Sequence, residues 1–214
     1  MSNLKYWTNQ SIVVQSAIGD AQAIDAISKA NPGVVTKNSG ATLPTNGVWV
    51  LLETAGMRQL NNRLFKVSAA SGSTFSIGED TTLFDTFTSG TYRVVTLAHA
   101  FDSVRDLASS GGDAVVEDTT SVHDVEDTQD IVSSSPQSFT FTHNWDPTNP
   151  ALKACNTAFI LRSPRGFVIT DPDGSAFAFY GTVVAPLQPT VSGKKKVTPV
   201  AVSLKATGTS VPAP

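Results

Sequence analysis

A single cysteine, three histidines and few charged side chains limit the chemistry open to this 214-residue sequence. Cys155 has no second cysteine to bridge to, so no intrachain disulfide can form, and a buried small hydrophobe is the role expected for it. His99, His123 and His143 share no spacing that gathers metal ligands, and there is no Cys-x-x-Cys pair, so no metal is expected. Gly-x-Ser-x-Gly elbows, Gly-x-x-x-x-Gly-Lys loops and Gly-x-Gly-x-x-Gly turns are all missing, which removes the common hydrolase and nucleotide-binding signatures. No run approaches the ~18 apolar residues of a membrane span. The segment Met1 to Tyr6 lacks the basic-then-apolar order of a secretion signal, so a soluble chain with no membrane partner is expected. With 15 Lys and Arg against 18 Asp and Glu, the net charge of -3 argues against adhesive contact with nucleic acid. The expected protein is not an enzyme and has no cofactor.

What the sequence does carry is extended structure punctuated by Gly, Pro, Asn and Ser, the pattern of a sandwich or barrel. Ser11 to Ser16 opens with β-branched Ile12, Val13 and Val14. Val48 to Leu52 is continuously apolar, as a strand covered on both faces would be, and Leu64, Val67, Phe75 and Ile77 flank a turn at 71–73. Phe139 and Phe141 alternate with Ser138, Thr140 and Thr142, a half-buried strand. Asn149 followed by Pro150 is an N-cap and first-turn pair for a helix whose Leu152, Cys155 and Phe159 form one apolar stripe. Two more strands flank Asp173-Gly174, and a last strand is expected near 197–207. The fold class is mainly β, a sandwich or barrel with one flanking helix, in a single domain over 1–214. Residues 11–207 form its ordered core, and 208–214 are expected to be a disordered tail.

Two charged stretches are the candidate contact sites. Within 111–132, Asp113, Glu117, Asp118, Asp124, Glu126, Asp127 and Asp130 meet no Lys or Arg, which predicts a mobile acidic loop or a plain solvated connection. Their spacing does not follow a calcium-loop pattern. Lys194, Lys195 and Lys196 fall in a Gly-containing turn, a solvated hairpin tip or a partner contact.

Two portions of the chain resemble phage tail proteins. Gly56 to Val67, with Ser73 to Ile77, Asp85 to Gly90 and the preceding Ile27 to Val35, is similar to a segment recurring in tail proteins of tailed phages, although Asn62 stands where Gly is commoner and Thr91 where a second Gly is expected. Phe139 to Trp145, the Pro147 to Pro150 helix start, the Phe167 to Gly174 hairpin, Phe179 to Val183 and the final strand resemble the carboxyl half of siphophage tail tube proteins. That resemblance implies a structural virion protein that forms hexameric rings, their strands joined in a continuous β-barrel lumen, stacked into the conduit for genome ejection. It implies assembly in the host cytoplasm and a place in the virion tail. Implied partners are further copies of the chain, the tape measure, tail tip and terminator proteins, and double-stranded viral DNA passing without specific binding. The alternatives are another ring-forming tail component, such as a terminator or tube-tip protein, and a receptor- or carbohydrate-binding β-sandwich on the virion.

Overall fold

A computed structural model describes residues 10–121, 125–185, 187–192 and 195–213; of Ser192 it describes the backbone alone. His123, Asp124 and Lys194, singled out above, lie outside the described residues. The amino half holds β1 (Ser11–Ile18), β2 (Gln22–Ile27), β3 (Val34–Lys37), β4 (Trp49–Ala55), β5 (Arg63–Lys66), β6 (Ser68–Ser71), β7 (Thr74–Ser76) and β8 (Ser89–Phe101). Next come β9 (Val104–Ser110), β10 (Ala114–Asp118), β11 (Gln129–Ser134), β12 (Ser138–Asn144) and α1 (Pro150–Leu161). The chain then adds β13 (Arg165–Thr170), β14 (Ala176–Val183), β15 (Thr190–Ser192), β16 (Lys195–Leu204) and β17 (Thr209–Val211).

β8 is the spine. Its upper part pairs with β1 and its lower part with β2 along one edge, while β4 takes the other edge from Ser89 to Val95. β1 and β2 therefore act as one long strand interrupted at 19–21, where Gly19 N–H donates to Val94 O and holds the register. From β1 the sheet continues through β13, β14, β16 and β12 to β9, and from β2 through β3 and β7 to β6. The fold is mainly β with one helix, as expected, but its strands form one 15-stranded antiparallel sheet. No closed barrel occurs among the described residues, because the strand order ends openly at β6 and β9. So long an antiparallel sheet cannot stay flat and must curl on itself. The curl brings Ile12, Phe167 and Phe179 into one apolar cluster with Phe141, Val200 and Val202, and α1 adds Leu152, Cys155 and Ala158. A second cluster, around Phe65, Phe75 and Tyr92, fills the β2–β8 half, and a third, with Leu51, Leu64, Val95 and Val168, joins the two.

The segment from Gly56 to Val67 owes its sequence to a tight connection between β4 and β5. Gly56 has φ +80°, and a Cβ there would fall 2.3 Å from Thr86 O, so no other residue fits. Met57 and Leu60 are fully buried, while the Thr54 hydroxyl donates to Met57 O at 2.8 Å and Thr54 N–H to Asn61 Oδ1 at 3.1 Å. Asn62 adopts φ +59°, a left-handed position that Asn tolerates better than most residues, so it fills the place where Gly is commoner without changing the turn.

α1 starts as its sequence requires: Asn149 Oδ1 accepts from Ala151 N at 2.9 Å and Leu152 N at 3.1 Å, with Pro150 in the first turn. Two expectations are corrected. Residues 208–214 are not wholly a disordered tail, because Thr209–Val211 forms β17 on Ala176–Ala178 of β14, and Thr209 is buried. That edge of β14 is free only because β16 leaves it at Leu204, and backbone groups so exposed favour a strand. The acidic stretch 111–132 is not simply a loop, for β10 and β11 pair across it.

Phe179 stacks between Phe139, with ring centroids 4.7 Å apart, and Phe167, 5.2 Å apart. Phe179→Ala should therefore cost roughly 3–5 kcal/mol in denaturant unfolding, whereas Leu83→Ala, at a side chain 94% exposed, should stay within about 0.5 kcal/mol of the parent.

Candidate assembly surfaces

β10 and β11 prolong β9 and β12 into an arm that leaves the main sheet. Gly111 and Gly112, with φ +80° and +86°, turn the chain there, and a Cβ on Gly111 would lie 2.0 Å from Pro136 O. Gly112 N–H donates to Ser135 O at 3.1 Å and Ser135 N–H to Asp113 O at 2.9 Å, so the ladder resumes beyond the bend. β-branched Val115, Val116, Ile131 and Val132 explain why the stretch is extended despite its charge, yet all four are exposed. Val116 faces Ile131 across the ladder, and Glu117 faces Asp130. Two carboxylates directly opposed across a strand pair weaken it, and no Lys or Arg occurs from 111 to 134 to offset them. Hydrogen bonds from Thr120 hold the Asp118 carboxyl below the usual range. Asp113, Glu117, Asp118, Glu126, Asp127 and Asp130 are all exposed on this arm.

Lys195 and Lys196 open β16, opposite Ser192 and Val191, at the end where β15 and β16 are joined. Register fixes how far they are from the arm. β12 begins at Ser138, beside Ser110 on one side and Ser203 on the other, and the arm departs from that end. Lys195 sits at the far end of β16, at about 3.3 Å per residue some 26 Å from Ser203. The two charged groups singled out in the sequence are thus at opposite ends of one subunit and are not brought together within it.

Both ends of the strand order are blunted. In β9, Asp106 (φ +53°) and Leu107 bulge opposite Phe141, and in β6, Ala69 (φ +47°) marks a similar shift against β7. Bulges of this kind discourage unspecific edge pairing.

His143, one of the three histidines noted above, is 1% exposed. Its Nε2 lies 2.9 Å from Asp102 Oδ1 and 3.0 Å from Ser103 Oγ, and its Nδ1 lies 2.6 Å from Asn144 O. Asn149 Nδ2 donates to the same Asp102 oxygen at 3.2 Å. Serine, histidine and aspartate meet here without forming a triad, since carboxylate and hydroxyl share one ring nitrogen while a carbonyl takes the other. The group instead ties the β8–β9 turn to the end of β12 and the start of α1. Partners about 40 residues apart left no local signal in the sequence. Among the described residues no cluster of three or more His, Cys, Asp or Glu could hold a metal ion. Burial pushes the Cys155 thiol up to about 12, which leaves it protonated and unreactive.

A β-rich chain with blunted sheet edges and a protruding charged arm has the features of a structural subunit. The sequence model of the phage tail tube protein family matches residues 55–213, and the chain belongs to that family. No curated protein matches it by sequence. The match includes the Gly56–Val67 segment and the whole carboxyl half, the portions whose resemblance to tail tube proteins was read from sequence. Members of this family are structural components of the phage tail that assemble with further copies and with other tail proteins.

Gly111→Ala should open the arm's root, seen as faster hydrogen exchange at Gly112 and Ser135 with little change in global melting. Cys155 should resist thiol reagents at mildly alkaline pH in the folded chain and react once denaturant unfolds it.

Proposed function

We propose that this chain is the repeating subunit of a siphovirus tail tube, closing into hexameric rings that stack around the channel for genome ejection. Family membership carries the proposal. The opposite placement of the acidic arm and the Lys195-Lys196 end supports its stacked form, because two different surfaces at opposite ends suit a head-to-tail contact that repeats without closing. In such a stack the opposed Glu117 and Asp130 of one ring meet the lysines of the next, and the cost of their mutual repulsion is removed on assembly. Asp113, Asp118, Glu126 and Asp127 add to the same field; Asp124 and Lys194, outside the described residues, belong to the same two sequence clusters. The strands of neighbouring subunits join around the lumen as a continuous barrel, so that edges open in one subunit are paired in the ring. A chain of net charge -3 gives DNA little to adhere to, and lumen-facing residues are mainly acidic or neutral so that the genome slides. Tape measure, tail tip and terminator proteins are its neighbours, and assembly takes place in the host cytoplasm.

Electron microscopy of the concentrated full-length chain tests this directly. Tubes of uniform width are expected. Rings that never stack would identify a terminator or tube-tip role, and monomers that bind glycans a receptor-binding one. Raising ionic strength above ~0.1 M, where screening acts within about 10 Å, should loosen the stacks. A Lys195→Glu, Lys196→Glu variant should stack poorly, and Glu117→Lys with Asp130→Lys on the same chain should restore stacking. Tubes indifferent to both salt and charge reversal would remove the electrostatic contact from the proposal.

A further inference from the structure

Near the start of β8 the chain presents one large apolar side chain to solvent. Leu83 is 94% exposed, and a single exposed leucine is ordinary on a protein surface. This one, however, crowns a loop held on both sides. Before it, Thr81 is fully buried, its hydroxyl donating to Ser28 O at 2.7 Å and accepting from Ala30 N at 3.1 Å. After it, Phe84 N–H donates to Thr81 O at 3.2 Å and Asp85 N–H to Gln59 Oε1 at 3.3 Å, while the Phe84 ring packs against the cluster around Phe65 and Tyr92. Beyond the other end of β8 lies a small cleft of about 250 Å³, walled by Trp145, Pro147, Leu152 and Leu187 and completed by Asp146, Lys153 and Asn156. We propose that this cleft receives Leu83 of a second copy of the chain, a head-to-tail knob and socket that rests on the stacked arrangement proposed above and gives it a specific contact.

Position, size, charge and rigidity all favour that occupant. Thr88 N–H donates to Ala55 O at 3.1 Å and Ala55 pairs with Ser89, so the Leu83 loop adjoins the first residue of β8. β8 ends at Phe101, and Asp102 just beyond it receives Nδ2 of Asn149, which stands between Pro147 and Leu152 in the chain. Knob and socket are therefore separated by the 13 residues of β8, about 40 Å of strand, and one copy cannot fill its own socket. A second copy displaced along β8 can, and the contact then repeats without closing. The cleft is smaller than the roughly 300–1,000 Å³ of small-molecule sites and suits one branched side chain. Around Leu83 in sequence stand Glu79, paired with Arg63 at 3.2 Å, Asp85, paired with Arg58 at 3.0 Å, and Asp80, which accepts from the neutral Thr82 and Asn31. The socket carries Lys153 and adjoins Lys196, whose carbonyl accepts from Trp145 N–H at 2.9 Å. Its own carboxylate, Asp146, is turned to Thr148, accepting from N at 2.8 Å and from Oγ1 at 2.7 Å. Asp80 of the knob thus meets a basic socket. A loop already fixed by Thr81, Phe84 and Asp85 also loses little conformational freedom when Leu83 is seated.

Two singly substituted full-length chains, Leu83→Cys and Asn156→Cys, test this contact whether or not tubes form. Mixed in concentrated solution with a short bis-maleimide, they should yield a dimer containing one of each, while either chain alone stays monomeric on a denaturing gel. The native thiol stays silent, because burial pushes Cys155 up to about 12. Linkage of Leu83→Cys chains to one another, or no linkage in the mixture, would overturn the proposal. In electron microscopy Leu83→Asp should lower the yield of tubes several-fold and Leu83→Met should keep it near the parent's, with melting unchanged in both. Parent tubes that Leu83→Asp leaves as abundant would overturn the knob and socket while the tube itself stands. Mixed dimers from a chain that forms no tubes would support the knob and socket and remove the tube.

Discussion

The fold depends on β8 having backbone partners on both edges. A strand with both edges paired cannot shift against either neighbour without breaking a ladder, and the 13 residues of β8 meet β1, β2 and β4 at once. Val95 pairs with Ile18 on one side and Trp49 on the other, which fixes where the two halves of the chain meet. The cluster of Leu51, Leu64, Val95 and Val168 is a consequence of that register, since it draws on β4, β5, β8 and β13 together. Where the β1–β13 ladder ends at Val14, the buried Gln15 side chain continues it, its Oε1 accepting from Gly166 N at 2.9 Å. A buried amide left without that acceptor would be costly, so the end of that ladder and the polar side chain belong together.

The junction at Asp102 does for the helix side what β8 does for the sheet. One carboxylate oxygen receives Asn149 Nδ2 and faces His143 Nε2, so the N-cap of α1 is anchored to the strand ends it must cover. Asn149 satisfies the first turn of the helix through Oδ1 and the junction through Nδ2, using acceptor and donors of one amide. Aspartate at this place could cap the helix equally well but has no donor to offer. The sequence signal for a helix start is thus also half of a tertiary contact.

Features set by local chemistry were legible beforehand. The Asp173-Gly174 turn between β13 and β14, the Asn149-Pro150 helix start and the doubly covered β4 all follow from residues within a few positions of one another. What was not legible depends on distant partners. His143 is a polar residue in β12, and Asp102 and Ser103, about 40 residues earlier, hold it in the interior. Residues 208–214 read as disorder because of their Pro, Gly and Ser, while the strand at Thr209–Val211 exists only because β16 stops short on β14. In the acidic stretch the carboxylates outweighed Val115, Val116, Ile131 and Val132 in the reading, whereas the ladder depends on the backbone and on those β-branched residues. Both charged clusters were visible in the sequence, but their separation was not, since it follows from the registers of β9, β12 and β16.

That separation bears on why an arm this acidic exists. A hairpin with Glu117 opposite Asp130 and four exposed apolar side chains gains little by forming alone, since isolated two-stranded pairs are marginal in water. Its persistence here comes from its root, where Gly111 and Gly112 let β9 and β12 continue into it past Pro136. Such an arm is held at one end and poorly satisfied at the other, and Lys195 and Lys196 lie across the length of β16 from it. The stack proposed above supplies complementary charge from the next copy, presenting the end that the first copy keeps away from its own arm.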